Sequence, residues 1–196
     1  SIDTASALLS RPVILNTVLA DPGTRMHDIL VVVPTFNEAE NIPRLIPAIL
    51  KQSPDIDVLI VDDNSPDDTA RIVRRIQDNN DRVHLLLREK KMGLGSAYVA
   101  GLKFALQRSY TFVFEMDADF SHSPADLPRL INEVGNGYDL VLGSRYVAGG
   151  KLPDNWSGLR KANSRWGNRF ARRIAGINGI ADCTTGFRAI RVSLLN

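Results

Sequence analysis

The sequence predicts an α/β fold, in which a doubly wound, mostly parallel sheet has helices on both faces. Short runs of β-branched and leucine residues, typical of strands buried on both sides, alternate with segments that carry helix-start signals. This alternation is the pattern of parallel strands joined by helices. Polar clusters follow most of the predicted strands, and ligands in such sheets bind at the carboxyl ends of the strands. With 196 residues, the chain is long enough for one domain with a sizeable core.

The first predicted strand–helix unit begins with the run Ile-Leu-Val-Val-Val at 29–33, which Pro34 ends. Asn37 is followed three residues later by Glu40, which is the spacing of a capping box. We therefore expect a helix from Asn37 to about Lys51.

The next units follow the same pattern. Residues 58–61 form the second predicted strand, and Ser65 as N-cap with Pro66 at the first helical position predicts a helix after it. Residues 83–87 are the third predicted strand, and a helix is expected from about residue 93 to about residue 108.

The last predicted elements surround an acidic pair. The apolar run at 111–116 is the fourth strand, and Ser123 followed by proline predicts a helix that ends near Asn136. Residues 140–142 form a short fifth strand.

The polar clusters at the ends of these strands predict the position of a site. They are Thr35 to Glu38, Asp62 to Ser65, Asp117 to Asp119, and Ser144 with Arg145. Because the carboxyl ends of parallel strands meet at one edge of a sheet, we expect these clusters to lie close together. Asp62 and Asp63 have two interpretations: they accept hydrogen bonds from a ribose or a base, or they only shape the turn.

The segment Asp117-Ala118-Asp119 has the clearest chemistry. Two carboxylates one residue apart repel each other unless a cation lies between them. Mg²⁺ and Mn²⁺ prefer oxygen ligands and leave coordination positions open for phosphates, so the pair predicts a divalent-metal site that binds a nucleotide diphosphate. The alternative is that both aspartates are solvated loop residues that favour the start of the next helix.

The composition argues against several kinds of site and segment. The single cysteine, Cys183, excludes an internal disulfide and a cysteine metal cluster, and His27, His84 and His122 lack zinc-ligand spacing. No apolar run approaches the ~18 residues that span a bilayer. We expect residues 1–25 to be an N-terminal extension and not a signal peptide, because a basic n-region is missing ahead of its apolar run.

Charge is distributed unevenly. The whole chain has a formal net charge of +2, whereas residues 158–196 hold eight basic side chains and one acid. Two series recur there every four residues, a basic one (Lys161, Arg165, Arg169, Arg173) and an apolar one (Ala162, Trp166, Phe170, Ile174). They predict a basic amphipathic helix that binds an anionic membrane surface; the alternative is a surface helix whose aromatic stripe packs on the core. Nucleic acid is disfavoured because the basic excess is confined to one end.

Seven segments, in order along the chain, carry a resemblance to a known family. They are PTFNEAENIP (34–43), VDDNSPDDT (61–69), REKKMGLGSAY (88–98), MDADFSHSP (116–124), GSRYVAGG (143–150), WSGLRKANSRWGN (156–168) and DCTTGFRA (182–189). On these segments the chain resembles the inverting family 2 glycosyltransferases of the GT-A fold, and most closely the dolichol-phosphate and polyprenyl-phosphate mannose synthases. Residues 26–196 would then be the catalytic domain, without the C-terminal segment that closes over the donor in the family.

The resemblance implies a role for each matching residue. Guanosine contacts are implied for Pro34, Phe36, Glu38, Val61 and Asp63, and diphosphate contacts for Asp117, Ala118 and Asp119. The implied metal, Mg²⁺ or Mn²⁺, would be held by Asp117, Asp119 and Ser121. Arg145 would meet the donor phosphates and join Asp117 and Asp119 as a catalytic residue, and Arg160 and Ser164 would meet the acceptor phosphate. Phe36 stands where the family usually has tyrosine, so one hydroxyl contact is lost.

The implied reaction transfers a mannosyl group from GDP-mannose to a polyprenyl (dolichyl) phosphate, with inversion. The implied protein is cytoplasmic, is peripherally associated with an anionic membrane surface and has no nucleic-acid partner. Three rivals stay open. One is another sugar nucleotide, such as UDP-glucose, or a hydroxyl acceptor; another is an inactive nucleotide-sugar-binding module. The third is a phospho-accepting receiver domain, which also clusters aspartates at strand ends but leaves the basic helix unexplained.

Overall fold

Strands and helices alternate along the chain. The structure, a computed structural model, describes residues 28–144, 166, 167, 169, 170, 173, 182 and 185–195. The strands are β1 (Ile29–Thr35), β2 (Ile56–Asp62), β3 (Val83–Leu87), β4 (Phe112–Glu115), β5 (Leu140–Leu142) and β6 (Arg188–Arg191). The helices are α1 (Ile42–Leu50), α2 (Thr69–Gln77), α3 (Leu94–Gln107) and α4 (Leu127–Gly135), with 3₁₀ turns at Pro124–Asp126 and Val192–Leu195. Within these residues no helix has the length and apolar character needed to cross a bilayer.

The strands form one sheet in the order β3-β2-β1-β4-β6-β5. β3, β2, β1 and β4 pair in parallel, whereas β6 pairs antiparallel with both β4 and β5. The prediction of a mostly parallel, doubly wound sheet is therefore confirmed. The sequence pattern does not predict β6, because its four residues, Arg-Ala-Ile-Arg, include two charged side chains and form no apolar run.

The sheet changes its direction of growth at β1. From β1 the chain adds β2 and then β3 on one side, and it later adds β4 on the other side. In open α/β sheets a crevice forms at such a switch point, outside the carboxyl ends of the two strands, and ligands bind there. Here the crevice lies between the residues that follow Thr35 and those that follow Glu115.

Hydrophobic layers cover both faces of the sheet. Val31 and Val33 of β1 pack in the layer that contains α1, α2 and α4, whereas Leu30 and Val32 pack in the layer that contains α3. All four side chains are fully buried. This alternation is the period of a β-strand, and it confirms that helices lie on both faces.

Helix α1 begins at Ile42 and not at Asn37, so the capping-box prediction is wrong. Asn37 has a φ of 62°, in the left-handed region, and its N–H donates to a serine hydroxyl in the loop after β2 (2.9 Å). Glu38, and not Glu40, contacts the start of the helix, where it accepts a hydrogen bond from the side chain of Asn41 (2.7 Å). Contacts between two loops at the edge of the sheet therefore override the local helix-start signal.

Helix α2 begins at Thr69, so the prediction of Ser65 as its N-cap is also wrong. Asp62 accepts hydrogen bonds from both donors of Ser65, the hydroxyl (2.6 Å) and the backbone N–H (2.9 Å). Ser65 is thereby held in the turn after β2 instead of capping a helix. The predicted starts of α3 and of the helical segment after β4 are confirmed.

Gly101 allows α3 to lie directly on β1. A Cβ added at Gly101 would lie 2.4 Å and 2.9 Å from the two γ-carbons of Val32, which is fully buried. We expect Gly101→Ala to lower the free energy of unfolding by about 1–2 kcal/mol, because overpacking outweighs the better helix propensity of alanine. Gly95→Ala, in the same helix but with nothing within 4 Å of the added Cβ, is the control and should be neutral or stabilising. Urea unfolding measures both, and equal stability of the two variants would contradict this close packing.

Candidate active site

The carboxyl ends of β2, β1 and β4 lie side by side at one end of the sheet, here called its carboxyl edge. The N–H of Asp63 donates to the carbonyl oxygen of Thr35 (3.1 Å), which joins the loops after β2 and β1. On the other side of β1, β4 ends at Glu115, just before Asp117. Three of the four predicted polar clusters therefore lie at this edge, and the fourth is described only at Ser144.

Asp62 anchors this edge. It is fully buried, and its Oδ1 accepts hydrogen bonds from the hydroxyls of Thr35 (2.8 Å) and Ser65 (2.6 Å). Its Oδ2 accepts from the N–H of Ser65 (2.9 Å). Because both oxygens are engaged and shielded from solvent, the structure favours the interpretation in which Asp62 shapes the turn.

Asp63 connects β2 to the loop after β3. Its carboxylate forms an ion pair with Arg88 and accepts a hydrogen bond from the N–H of Met92 (3.0 Å). Arg88 also donates to Ser96 Oγ (2.6 Å) and to the carbonyl oxygen of Gly93 (3.2 Å). Arg88 lies in one of the motifs that carry the resemblance, but its role could not be predicted, because its partner lies 25 residues away along the chain.

The Asp117 side chain is held by a hydrogen bond and is partly exposed. Tyr98 of α3 donates its phenolic hydrogen to Oδ1 of Asp117 (3.0 Å), and Nδ1 of His122 lies 3.7 Å from Oδ2. A Cβ added at Gly186 would lie 3.0 Å and 3.3 Å from the two carboxylate oxygens. Glycine at this position therefore lets the chain pass close to the carboxylate, and the Asp117 side chain remains 32% exposed.

Buried groups behind Asp117 fix its surroundings. Burial, and then the negative charge of Asp117, raise the pKa of Tyr98 far above its usual range, so Tyr98 stays protonated and donates. Burial also raises the pKa of Glu115, and the ion pair with Arg188 of β6 opposes that shift. The Arg188 guanidinium carbon lies 6.0 Å from the centroid of the Tyr98 ring. The unpredicted strand β6 thus supplies a positive charge directly behind the acidic segment.

The rest of the acidic segment is held by its middle residue. Ala118 is 4% exposed and packs in the layer that contains α4, while Asp119 is exposed and its Oδ1 accepts from the N–H of Ser121 (2.9 Å). Within the described residues, no group of three or more His, Cys, Asp or Glu side chains could hold a metal ion.

The residues expected to contact guanosine lie along the β1–β2 part of the edge. Pro34, Phe36 and Glu38 are partly exposed, and the backbone N–H of Glu38 donates to Thr69 Oγ1 (3.0 Å). Val61 is fully buried in the layer of α3, so only its backbone can face a ligand.

The predicted phosphate-binding residues Arg145, Arg160 and Ser164 lie outside the described residues, as do Lys161 and Arg165 of the predicted basic helix. The described residues between 166 and 173 are helical and exposed. Trp166 is 75% exposed and Phe170 is 59% exposed. For these two aromatic side chains, the alternative of a stripe packed on the core is therefore wrong.

Asp67 makes the stability of the fold near the site depend on pH. It accepts hydrogen bonds from the hydroxyl of Thr69 (2.6 Å) and the N–H of Ala39 (3.0 Å). Burial raises the pKa of Asp67, but these hydrogen bonds outweigh it and hold the pKa below its usual value of 3.8. Since the folded form has the lower pKa, the carboxylate stabilises the fold above pH 3.8, and this contribution is lost as the pH falls through the lowered value.

We expect Asp67→Asn to be less stable than the unchanged protein at pH 6, and the difference to shrink below pH 3.8. Urea unfolding at several pH values measures it. Asp68→Asn is the matched control, because Asp68 is exposed and forms a surface ion pair with Arg71 (2.6 Å). A stability difference for Asp67→Asn that is the same at pH 6 and pH 3 would contradict the assignment.

Comparison with known proteins gives a consistent match. The Glycosyl transferase family 2 model matches residues 30–196. A polyprenol monophosphomannose synthase of Mycolicibacterium smegmatis is 43% identical over 167 residues, which are 85% of this chain and 62% of that protein. An undecaprenyl-phosphate mannosyltransferase of Micrococcus luteus is also 43% identical over 167 residues, 85% of this chain and 68% of that protein. A dolichol-phosphate mannosyltransferase of Pyrococcus furiosus is 39% identical over 165 residues, 82% and 45% respectively.

Solved structures share the fold. A mannosyltransferase of Pyrobaculum calidifontis, in complex with GDP-Man and Mn²⁺, superposes with a TM-score of 0.52 at 25% identity, over 71% of this chain and 41% of that one. Glucosyl-3-phosphoglycerate synthase of Mycobacterium tuberculosis, in complex with Mn²⁺, UDP and glucosyl-3-phosphoglycerate, superposes with a TM-score of 0.62 at 21% identity. The match covers 89% of this chain and 63% of that one. The fold is that of the GT-A glycosyltransferases. The chain spans between 45% and 68% of the length of the relatives above.

Proposed function

The chain belongs to glycosyl transferase family 2, and from this premise we propose that it transfers a mannosyl group from GDP-mannose to a polyprenyl phosphate. The observation that carries the proposal is Asp117 at the switch point of the sheet, oriented by Tyr98 and with 32% of its side chain exposed. Identity of 43% to proteins named for mannosyl transfer to polyprenyl phosphates supports the sugar and the acceptor. GDP-Man in the Pyrobaculum calidifontis structure supports the donor.

Asp117 and Asp119 fit a divalent metal ion. Two carboxylates, of which Asp117 is partly exposed and Asp119 exposed, suit Mg²⁺ or Mn²⁺, which take oxygen ligands and complete their coordination with water and substrate phosphates. Mn²⁺ in the related structures supports this choice. We infer that Asp117 and Asp119 hold the ion, with Ser121 next to it. When bound, the ion neutralises negative charge that develops on the departing GDP.

The proposed reaction needs no protein base. The nucleophile is a phosphate oxygen of the acceptor, which is already anionic at neutral pH, so no side chain has to remove a proton. A single displacement inverts the anomeric centre. The protein's contribution is then to position donor and acceptor and to stabilise charge, with Tyr98 keeping Asp117 in its orientation. Pro34, Phe36, Glu38, the backbone of Val61, and Asp63 form the proposed guanosine side of the site.

The acceptor half of the site is assigned to the basic end of the chain. We infer that Arg145 meets the donor phosphates, and that Arg160 and Ser164 meet the acceptor phosphate. The exposed Trp166 and Phe170, close in sequence to exposed arginines, favour a surface that rests on an anionic membrane. Peripheral association there would bring the site to a lipid-linked acceptor.

Incubation with radiolabelled GDP-mannose, polyprenyl phosphate and Mn²⁺, followed by extraction into organic solvent, tests the proposal. The expected result is lipid-extractable label that disappears when the metal is chelated. Label transferred from UDP-glucose instead would favour the rival donor. Nucleotide binding without transfer from either donor would favour a binding module, and an absence of nucleotide binding would refute both.

A further inference from the structure

The segment after β3, here called the 88–93 loop, is fixed to the edge of the sheet. At its start, Arg88 is paired with Asp63. In its middle, the side-chain amide of Asn64 donates to a carbonyl oxygen of the loop (3.2 Å). Near its end, the N–H of Met92 donates to the same Asp63 carboxylate (3.0 Å). These contacts hold the loop backbone at several points, so the side chains between them start from a defined place.

Lys91 extends from this loop over Phe36. Its ammonium lies 3.9 Å from the centroid of the Phe36 ring. Phe36 directly follows β1, beside the crevice at the switch point, and its ring is partly exposed while Lys91 is exposed. A cation–π contact between exposed groups is weak. A flat ligand group with a larger contact area can therefore displace the ammonium from the ring.

The surroundings of Phe36 suit a nucleobase. Every base has a π-face that stacks on an aromatic ring. A lysine ammonium has three hydrogen-bond donors and no acceptor, so it pairs with a carbonyl oxygen on the edge of a base. Guanine and uracil present such an oxygen, whereas adenine presents an amino group, which is itself a donor.

We propose that Lys91 is a specificity-determining residue of the donor site. When the base of a nucleoside diphosphate stacks on Phe36, Lys91 leaves the ring and donates to an oxo group of the base, which favours guanine or uracil over adenine. The inference adds detail to the proposed function and rests on it, because it assumes that the nucleotide of the sugar donor binds beside Phe36.

The experiment is titration calorimetry with GDP, UDP and ADP in the presence of Mn²⁺. The variants are Lys91→Met, which keeps a long flexible side chain without its charge, and Lys90→Met, the matched control from the neighbouring position of the same loop. We expect the unchanged protein and Lys90→Met to prefer GDP to ADP at least tenfold. Lys91→Met should weaken GDP binding about tenfold, which corresponds to ~1.4 kcal/mol, and leave ADP binding nearly unchanged.

The other outcomes distinguish a failure of the inference from a failure of the proposed function. If Lys91→Met weakens GDP and ADP equally, Lys91 only attracts the diphosphate and does not select the base. If Lys91→Met binds GDP as well as Lys90→Met does, Lys91 has no part in donor binding, and the proposed function is untouched. If the unchanged protein binds none of the three nucleotides, the inference and the proposed function fall together. A GDP preference that depends on Lys91, without mannosyl transfer, would uphold the inference and refute the function.

Discussion

Asp117→Asn is expected to reduce mannosyl transfer on the order of 10²–10³-fold. Asparagine preserves the size of the side chain and can still accept a hydrogen bond from Tyr98, but it lacks the charge that a divalent ion requires. The rate of formation of lipid-extractable label measures the effect, and circular dichroism shows that the fold is kept. A variant that retains more than about a tenth of the activity would place Asp117 outside the reaction centre.

Two further variants separate metal binding from folding. Tyr98→Phe removes the hydroxyl that donates to Asp117 (3.0 Å), and we expect a loss of about 10–100-fold that extra Mn²⁺ partly restores, because a ligand without its supporting hydrogen bond binds metal less tightly. Asp81→Asn changes an exposed aspartate just before β3, where the parallel strands begin and away from their carboxyl ends. It should keep full activity. A loss in Tyr98→Phe that no metal concentration relieves would assign Tyr98 to packing alone.

Asp62→Ala is expected to lower the free energy of unfolding by about 3–5 kcal/mol, which is more than the loss expected for Gly101→Ala. The substitution removes one fully buried carboxylate and leaves the hydroxyl of Thr35 and both donors of Ser65 without their acceptor. Hydrogen bonds to a charged acceptor are stronger than neutral ones, and Thr35 is itself buried. Because a domain is stable by only about 5–15 kcal/mol, urea unfolding should show a large shift of the midpoint.

Asp62→Asn is the graded control. Its amide oxygen can still accept from the two hydroxyls, but its amino group would face the N–H of Ser65, where two donors meet. We therefore expect a loss of stability between that of the unchanged protein and that of Asp62→Ala. If both variants unfold at the midpoint of the unchanged protein, Asp62 does not anchor the edge, and a role in ligand contact becomes the better interpretation.

The family, the sheet and the acidic segment could be predicted because each has a local signal. Residues 29–33 are a continuous buried strand, and the segment 116–124 combines a strand end, two aspartates and a helix start within a few residues. The starts of α1 and α2 could not be predicted, because Asn37 and Ser65 bind across two loops instead of capping the helices that follow them. Nothing in the neighbouring sequence marks such a contact.

The residues that surround Asp117 could not be predicted from the sequence either. Tyr98 looks like an ordinary apolar residue of α3, and Gly186 like a loop glycine, until the fold brings both to one carboxylate. Arg188 belongs to a strand too short and too polar to be recognised, and its partner Glu115 lies 73 residues earlier. The sequence can therefore indicate which residues react, while the residues that orient them depend on contacts between distant parts of the chain.

The central place of β6 has a consequence for synthesis on the ribosome. Glu115 of β4 leaves the ribosome 73 residues before its partner Arg188, an interval of roughly 4–15 s at ordinary elongation rates. Throughout that time the outer edge of β4 has no neighbouring strand from β6, and an open strand edge can pair with other chains. Gly186, which borders Asp117, emerges just before Arg188. The nascent protein is thus exposed to aggregation for as long as its acidic centre is incomplete, and the emergence of β6 with the residues just before it ends both conditions.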